Sequence, residues 1–270
     1  MRAPGFARVT VAILLRFAHW TPAFAGVTQM ALRALDSRFR GTDRLLGCGL
    51  SNSTFLGFHT LQGFFVTGTD NDVGKTLVSA WLLAHLDADY WKPVQAGTEP
   101  ETDSVTVRRL AEISANRILP EAYVLPEAMA PHEAARRAGV TIDMAKLMPP
   151  ATDRLLVVEG AGGMLVPLTE DAYVIDLAAE LHLPVLLVAL STLGTINHTL
   201  LSIEALRRRG LPLAGVVMNG PETPHNRAAI EHYGDVNIIA EIPWLPSVTR
   251  ATLLEIEPEL DLEKLARAET

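Results

Sequence analysis

The feature that most constrains the fold is the stretch at residues 64–86, FFVTGTDNDVGKTLVSAWLLAHL. It starts with an apolar run typical of a buried strand, turns through two glycines and continues in a pattern typical of an amphipathic helix. In this order, the backbone N–H groups of the turn and of the helix N-terminus can surround an anion. The stretch therefore predicts a phosphate-binding site in an α/β fold.

The loop within this stretch departs from the strict P-loop pattern by one residue. The strict pattern has four residues between its two glycines and ends in Gly-Lys followed by Ser or Thr. Here five residues separate Gly68 from Gly74, and Thr69 stands at the strict first-glycine position. Lys75 would still reach the β- and γ-phosphates, and the Thr76 hydroxyl would bind Mg²⁺. We interpret the stretch as a nucleotide-binding loop, with a chance strand-to-helix turn as the alternative.

From residue 63 onward, short apolar runs alternate with helical patterns, which predicts a mostly parallel twisted sheet with helices on both faces. Strands are predicted at 64–67, 90–94, 155–158, 185–190, 214–218 and 238–242. Helices are predicted at 75–86, 104–113, 132–137, 174–181, 196–209, 227–233 and 262–268. No internal repeat or linker divides residues 63–270, so we expect one P-loop α/β domain there, with ligands beyond the carboxyl ends of the strands.

Residues 1–62 differ from the rest of the chain in charge. They contain seven Arg, two Asp and neither Lys nor Glu, whereas the whole chain has a net charge of −8 and the remainder therefore −13. An apolar run and the A-x-A-like Ala23-Phe24-Ala25 resemble a secretory signal, but Arg16 limits the run to about seven residues, too short to cross a bilayer. We expect a disordered or non-native extension and folding from near Gln62, with a targeting segment or a structural extension as alternatives.

Composition excludes several classes of function for residues 63–270. An acidic body argues against nonspecific nucleic-acid binding, and the aromatic residues are too few and scattered for a base-stacking platform. The one cysteine, Cys48, lies outside this part, so neither a disulfide nor a cysteine metal site is expected, in keeping with a reducing cytoplasm. There is also no G-x-S-x-G motif. We expect a cytoplasmic enzyme without nucleic-acid or membrane partners.

Three charged residues are predicted to join the phosphate loop at one edge of the sheet. Lys92 ends the second predicted strand in YWKPVQAG, where it could be a second cation over a transferring phosphoryl group or a snorkelling surface lysine. Asp103 precedes a predicted helix, so it could be only an N-cap. Glu159 ends the strand in RLLVVEG, where the alternative is a solvated acid beside a glycine turn. With Thr76, these carboxylates form an oxygen-rich site that suits Mg²⁺ rather than zinc.

The chain resembles the dethiobiotin synthetase family in six segments that follow the family's order and spacing: FFVTGTDNDVGKT, YWKPVQAG, LLVVEGAGGMLVPL, LGTINHTLL, LAGVVMN and EIPWL. The resemblance covers about residues 64–245, and this family's phosphate loop has the same extra residue. It implies a P-loop α/β fold, a homodimer, and the ATP- and Mg²⁺-dependent carboxylation of 7,8-diaminopelargonic acid with CO₂. That reaction closes a cyclic urea in biotin synthesis.

The resemblance also implies roles for individual residues. The ATP site would comprise Asp72, Val73, Gly74, Lys75, Thr76, Leu77, Asp103, Glu159, Gly160, Ala161, Gly162, Asn219, Pro243, Trp244 and Leu245. Mg²⁺ would be bound by Thr76, Asp103 and Glu159, and the catalytic residues would be Lys75 and Lys92. The acid substrate would contact Thr69, Lys92, Ala96, Gly194 and Asn197, the last two reaching across the dimer. Because Ala96 stands where the family often has Ser or Thr, a backbone group or water must replace that hydroxyl.

Two other classes of P-loop protein are alternatives. Partitioning-type ATPases, which act as switches at membranes or polymers, typically have an extra lysine early in the loop, and residues 69–72 contain none. Amidotransferase-type synthases usually need a glutaminase domain, for which 270 residues leave no room. The sequence therefore favours the ligase.

Overall fold

Seven parallel strands form the central sheet of the computed structural model, which describes residues 61–267. In sheet order, they are β4 (Ile118–Leu119), β2 (Ala88–Trp91), β6 (Leu155–Gly163), β1 (Gly63–Gly68), β7 (Val185–Leu190), β8 (Leu213–Asn219) and β9 (Ile238–Ile242). Every pairing between these strands is parallel, as predicted. Two short strands, β3 (Val94–Ala96) and β5 (Tyr123–Leu125), form a separate parallel pair.

Helices connect the strands, because a parallel pair cannot be joined by a tight hairpin turn. They are α1 (Lys75–His85), α2 (Asp103–Ala111), α3 (Pro131–Ala138), α4 (Val174–Leu181), α5 (Thr195–Arg208), α6 (Pro224–Gly234), α7 (Arg250–Leu254) and α8 (Leu262–Ala266). Short 3₁₀ turns lie at Ala115–Arg117 and Met144–Lys146. Within residues 61–267, no helix is long and apolar enough to cross a membrane. Apart from Leu61 and Gln62, the predicted extension at 1–62 lies outside the described residues.

The core lies on both faces of the sheet, which explains the consecutive apolar residues of the strands. Phe64 packs into the layer that contains Trp81 of α1, whereas the next residue, Phe65, packs into the layer that contains Leu177 of α4. All six residues of β1 are buried. The phosphate loop therefore follows directly from a central strand that is packed on both faces.

The structure corrects three local predictions. The strand predicted at 90–94 is wrong in its bounds, because β2 ends at Trp91 and Lys92 lies between β2 and β3. Pro93 has no N–H group to continue the ladder, and the chain then leaves the central sheet to pair with β5. Glu159 does not end its strand, since β6 continues to Gly163. Asp103 is not an N-cap, because Thr102 caps α2 by accepting a hydrogen bond from the Val105 N–H.

Candidate active site

A cavity of about 610 Å³ lies beside the phosphate loop, where β1 and β2 end and β6 passes Glu159. Ten of the predicted site residues line it: Asp72, Gly74, Lys75, Thr76, Lys92, Ala96, Asp103, Glu159, Ala161 and Gly162. These residues are far apart in sequence and come from the loop, the start of α1, the β2–β3 connection, the end of β3, the start of α2 and β6. The cavity therefore brings together the groups that the sequence predicted to meet at one edge.

The phosphate loop is shaped by Gly74 and Asn219. Gly74 has φ 99, and a Cβ atom at this position would clash with Nδ2 of Asn219. The Asn219 Nδ2 group donates a hydrogen bond of 3.0 Å to the Val73 carbonyl. Only glycine adopts this backbone without strain and leaves room for the amide. The end of β8 thus supports the loop immediately before α1 begins.

Lys75 is the first residue of α1, and its side chain reaches back over the loop. Its Nζ atom donates a 2.9 Å hydrogen bond to the Asp70 carbonyl. Burial and then the nearby positive charge of Lys92 hold the pKa of the Lys75 ammonium below its usual value. Both lysines line the same cavity, so an anionic group bound beside the loop would meet both ammonium groups.

Lys92 is buried, with 4% of its side chain exposed, so the snorkelling alternative is wrong. Its Nζ atom lies 2.8 Å from Oδ2 of Asp103 and 3.0 Å from Oε1 of Glu159, and it donates a 3.0 Å hydrogen bond to the Gly160 carbonyl. Burial alone would lower the pKa of this ammonium, but the charges of Glu159 and Asp103 outweigh it and raise the pKa. Lys92 is therefore a fixed cation.

Three oxygen-bearing side chains meet beside Lys92. Oγ1 of Thr76 lies 3.2 Å from Oδ1 of Asp103 and 3.0 Å from Oε1 of Glu159. Burial would raise the pKa of the Asp103 carboxyl, but the charge of Lys92 and the hydrogen bonds from Lys92 and Thr76 keep the pKa below its usual value. This carboxyl therefore stays ionised, as a metal ligand must be.

This oxygen cluster fits Mg²⁺. In the part of the chain that the structure describes, no three His, Cys, Asp or Glu side chains are grouped closely enough to hold a metal by themselves. Mg²⁺ usually takes one or two carboxylates, keeps several waters and completes its coordination with substrate phosphates. Two carboxylates and a threonine hydroxyl beside a phosphate loop are such a set.

Sequence reasoning missed two residues that contact Glu159. The hydroxyls of Ser79 and Tyr90 donate hydrogen bonds of 2.8 and 3.0 Å to its Oε2 atom. Burial, with the negative charges of Glu159 and Asp103, raises the pKa of the Tyr90 hydroxyl well above its usual value, so it stays a donor. Helical spacing was one available signal, because Ser79 lies three residues after Thr76.

Gln95 is a third residue that the sequence did not reveal. Its Oε1 atom accepts a 3.1 Å hydrogen bond from the Asp103 N–H, and its Nε2 atom donates a 2.7 Å bond to the Gly97 carbonyl. The buried amide thus connects the start of α2 to the end of β3. No pattern around a single Gln in so short a strand indicates this role.

The remaining predicted residues do not line this cavity: Thr69, Val73, Leu77, Gly160, Asn219, Pro243, Trp244, Leu245, Gly194 and Asn197. Of these, Gly160 contacts the site through its carbonyl, which accepts a hydrogen bond from Lys92, and the Val73 carbonyl accepts one from Asn219. Thr69 donates its N–H to the Val188 carbonyl of β7 at 2.9 Å. Trp244 is 74% exposed, and Gly194 and Asn197 lie exposed at the start of α5.

This chain is similar to a known family and to several known proteins. The AAA domain family matches residues 62–252. The ATP-dependent dethiobiotin synthetase BioD of Paramagnetospirillum magneticum is 59% identical over 198 residues, which cover 73% of this chain and 96% of the relative. The protein of the same name from Agrobacterium fabrum is 50% identical over 190 residues, covering 70% and 90% of the two chains. Among solved structures, a ParA family ATPase from Chlorobium tepidum TLS aligns with 12% identity and a TM-score of 0.46, over 76% of this chain and 96% of that one.

Proposed function

This chain belongs to the dethiobiotin synthetase family, and we propose that it carries out the family's reaction in the cavity beside the phosphate loop. The reaction joins CO₂ to 7,8-diaminopelargonic acid and closes a cyclic urea, while ATP is converted to ADP and phosphate. The chain is thus an ATP-dependent ligase of biotin synthesis. The observation that carries this location is the convergence of Lys75, Lys92 and the oxygen cluster on one cavity.

The lysines address the main electrostatic difficulty of this reaction. A carbamate formed from an amine and CO₂ is an anion and a weak nucleophile, and its attack on the γ-phosphate brings two anions together. Lys75 would hold the β- and γ-phosphates, and Lys92 would face the charge that develops between carbamate and γ-phosphate. Positioning of the reactants supplies much of the remaining rate enhancement. The neighbouring amine then attacks the mixed anhydride, and phosphate leaves.

The oxygen cluster would hold the divalent ion. Thr76, Asp103 and Glu159 are the proposed Mg²⁺ ligands, supported by their mutual contacts of 3.0 to 3.2 Å around the threonine hydroxyl. When bound, Mg²⁺ supplies positive charge that offsets the charge of the phosphates. The ATP base would lie towards Asn219 and residues 243–245. The Glu159–Gly162 backbone of β6 would run beside the nucleotide and the acid substrate.

We propose a cytoplasmic homodimer in which each subunit completes the partner's site. Gly194 and Asn197 lie outside their own chain's cavity, and the side chains of Leu193 and Leu201 beside them are exposed. Apolar exposure next to a predicted substrate contact supports an interface there. The small substrates and the acidic body support the proposal that the protein has neither a nucleic-acid nor a membrane partner.

Residues 63–270 are proposed to be the catalytic domain. The Gln62 carbonyl accepts a 2.8 Å hydrogen bond from the Leu156 N–H, and its side chain accepts another from Arg267. Gln62 therefore takes part in the hydrogen bonds of the folded domain. A shortened protein beginning there should fold and turn over like the full chain. An insoluble or inactive shortened protein beside an active full chain would contradict this assignment.

The proposed function is tested by product analysis. The protein is incubated with 7,8-diaminopelargonic acid, bicarbonate, ATP and Mg²⁺, and the products are identified by mass spectrometry. We expect dethiobiotin, ADP and phosphate in equal amounts. Hydrolysis of ATP without a ureido product would instead indicate a nucleotide-dependent switch.

A further inference from the structure

The two oxygens of the Glu159 carboxylate lie in different surroundings. Glu159 is 1% exposed. Oε1 lies 3.0 Å from both Oγ1 of Thr76 and Nζ of Lys92, which belong to the proposed reaction site. Oε2 instead accepts the hydroxyl hydrogen bonds of Ser79 and Tyr90, at 2.8 and 3.0 Å. Each oxygen therefore has its own pair of partners.

The two hydroxyls on Oε2 are held by the rigid parts of the fold. Ser79 lies on α1 and Tyr90 on β2, and both are fully buried. A buried side chain surrounded by packed neighbours keeps one rotamer, so each donor has a set position. Neither residue lines the cavity. They can affect a ligand there only through Glu159.

We propose that Ser79 and Tyr90 are positioning residues, which hold Oε2 of Glu159 from behind and thereby present Oε1 to the divalent ion and to Lys92. The inference rests on the proposed function, since it takes Glu159 as an Mg²⁺ ligand. A carboxylate free to rotate could turn either oxygen towards the cavity, or offer both. Two hydroxyl donors on one oxygen remove that freedom. Mutation of a residue that hydrogen-bonds to a metal ligand commonly lowers the metal affinity by about 10- to 100-fold.

The alternative is a purely structural role. A buried carboxylate needs hydrogen-bond partners whatever it does, and the hydroxyls could serve only that need. Loss of a hydroxyl would then lower the melting temperature without a selective effect on the ion. Metal affinity and melting temperature therefore separate the two roles.

The test measures binding of Mn²⁺, used as a paramagnetic probe, by electron paramagnetic resonance of the protein with ATP. The variants are Tyr90→Phe and Ser79→Ala, each of which removes one hydroxyl. The matched control is Tyr123→Phe, because the Tyr123 hydroxyl also has a hydrogen-bond partner, the Asp143 N–H at 2.9 Å, but lies away from the cavity. We expect Mn²⁺ affinity about tenfold weaker or more in the two variants. In the control it should equal that of the parent.

Two further measurements sharpen the result. ATP affinity without divalent ion should stay near the parent value in both variants, because neither hydroxyl faces the nucleotide. The kcat for dethiobiotin formation should fall at low Mg²⁺ and recover partly at high Mg²⁺. A structural role alone would also leave the ATP affinity unchanged, but it would not make the loss of kcat depend on the Mg²⁺ concentration.

Three outcomes would overturn the inference in distinguishable ways. If the parent with ATP binds no Mn²⁺, the proposed metal site itself is wrong. If the parent binds Mn²⁺ and both variants bind it equally well, Glu159 needs no positioning by the hydroxyls. If Tyr90→Phe does not fold, Ser79→Ala decides, and parent-like Mn²⁺ affinity there contradicts the proposal.

Discussion

Nζ of Lys92 lies 2.8 Å from Oδ2 of Asp103, in an ion pair whose lysine is 4% exposed and whose aspartate is 32% exposed. The pair connects the end of β2 to the start of α2 and holds the lysine at the cavity wall. Asp103 is the more accessible partner, and its other oxygen faces Thr76. One carboxylate thus orients the proposed catalytic lysine and belongs to the proposed metal site.

The two acids should differ in their importance for the ion. Either Asp103→Ala or Glu159→Ala should sharply raise the Mg²⁺ concentration needed for half-maximal activity. Asp103→Asn should weaken activity less than Glu159→Ala, because asparagine keeps an oxygen at a partly exposed position. Removal of buried Glu159 also takes one of the two carboxylates away from the buried ammonium of Lys92. Breaking a buried ion pair in this way typically costs about 3–5 kcal/mol of stability. Mg²⁺ titrations of folded protein provide the measurement, and unchanged titrations would remove both acids from the metal site.

Gly74→Ala should abolish ATP binding. The left-handed backbone at φ 99 costs an L-residue roughly 1–2 kcal/mol, and the new methyl would displace Asn219 from the Val73 carbonyl. Gly139→Ala is the matched control, because Gly139 has φ 67 but no atom within 4 Å of an added Cβ. The control should have a lower melting temperature than the parent but the same ATP affinity. Both quantities are measured by calorimetry. Parent-like ATP binding by Gly74→Ala would show that the loop tolerates the movement of Asn219.

The parts that could be predicted from sequence depend on local patterns or on the general geometry of parallel sheets. The β1–loop–α1 unit is local, and Lys92 and Glu159 were expected to meet because parallel strands end at the same edge. The pairing of β3 with β5 was not predicted, because a strand of three residues is too short to show an alternation of apolar and polar side chains. The contacts of Ser79 and Tyr90 with Glu159 were also missed. They depend on rotamers and tertiary packing, which spacing alone does not determine.

Ala96→Thr should lower the KM for 7,8-diaminopelargonic acid. Ala96 lines the cavity, and a threonine hydroxyl there would supply the substrate contact that the family resemblance implies for this position. A gained hydrogen bond is worth about 0.5–1.5 kcal/mol, which corresponds to roughly a threefold to tenfold change. Ala96→Val is the control, because valine has the shape of threonine without the hydroxyl and should not lower KM. Loss of folding in the threonine variant would show that Ala96 belongs to the packed core.

Lys92 is predicted to act in the transition state rather than in nucleotide binding. Its ammonium is fixed by three contacts at the cavity wall, whereas Lys75 already lies over the phosphate loop. A positioned cation helps most when charge between carbamate and γ-phosphate is greatest. Removal of one such group typically lowers kcat by about 10²–10³. Lys92→Gln should therefore bind ATP nearly as well as the parent and lose turnover by about that factor.

Companion variants separate this role from the alternatives. Lys75→Gln should lose both ATP binding and turnover, and Lys92→Arg should recover only part of the rate, since a planar guanidinium replaces a compact ammonium. Lys146→Gln is the control, because this lysine is exposed and does not line the cavity. ATP affinity and kcat would be measured on each variant, with circular dichroism to confirm folding. Because Lys92 neutralises two carboxylates, its loss should also lower the melting temperature. Near-parent turnover of folded Lys92→Gln would mean that the lysine has no part in the reaction.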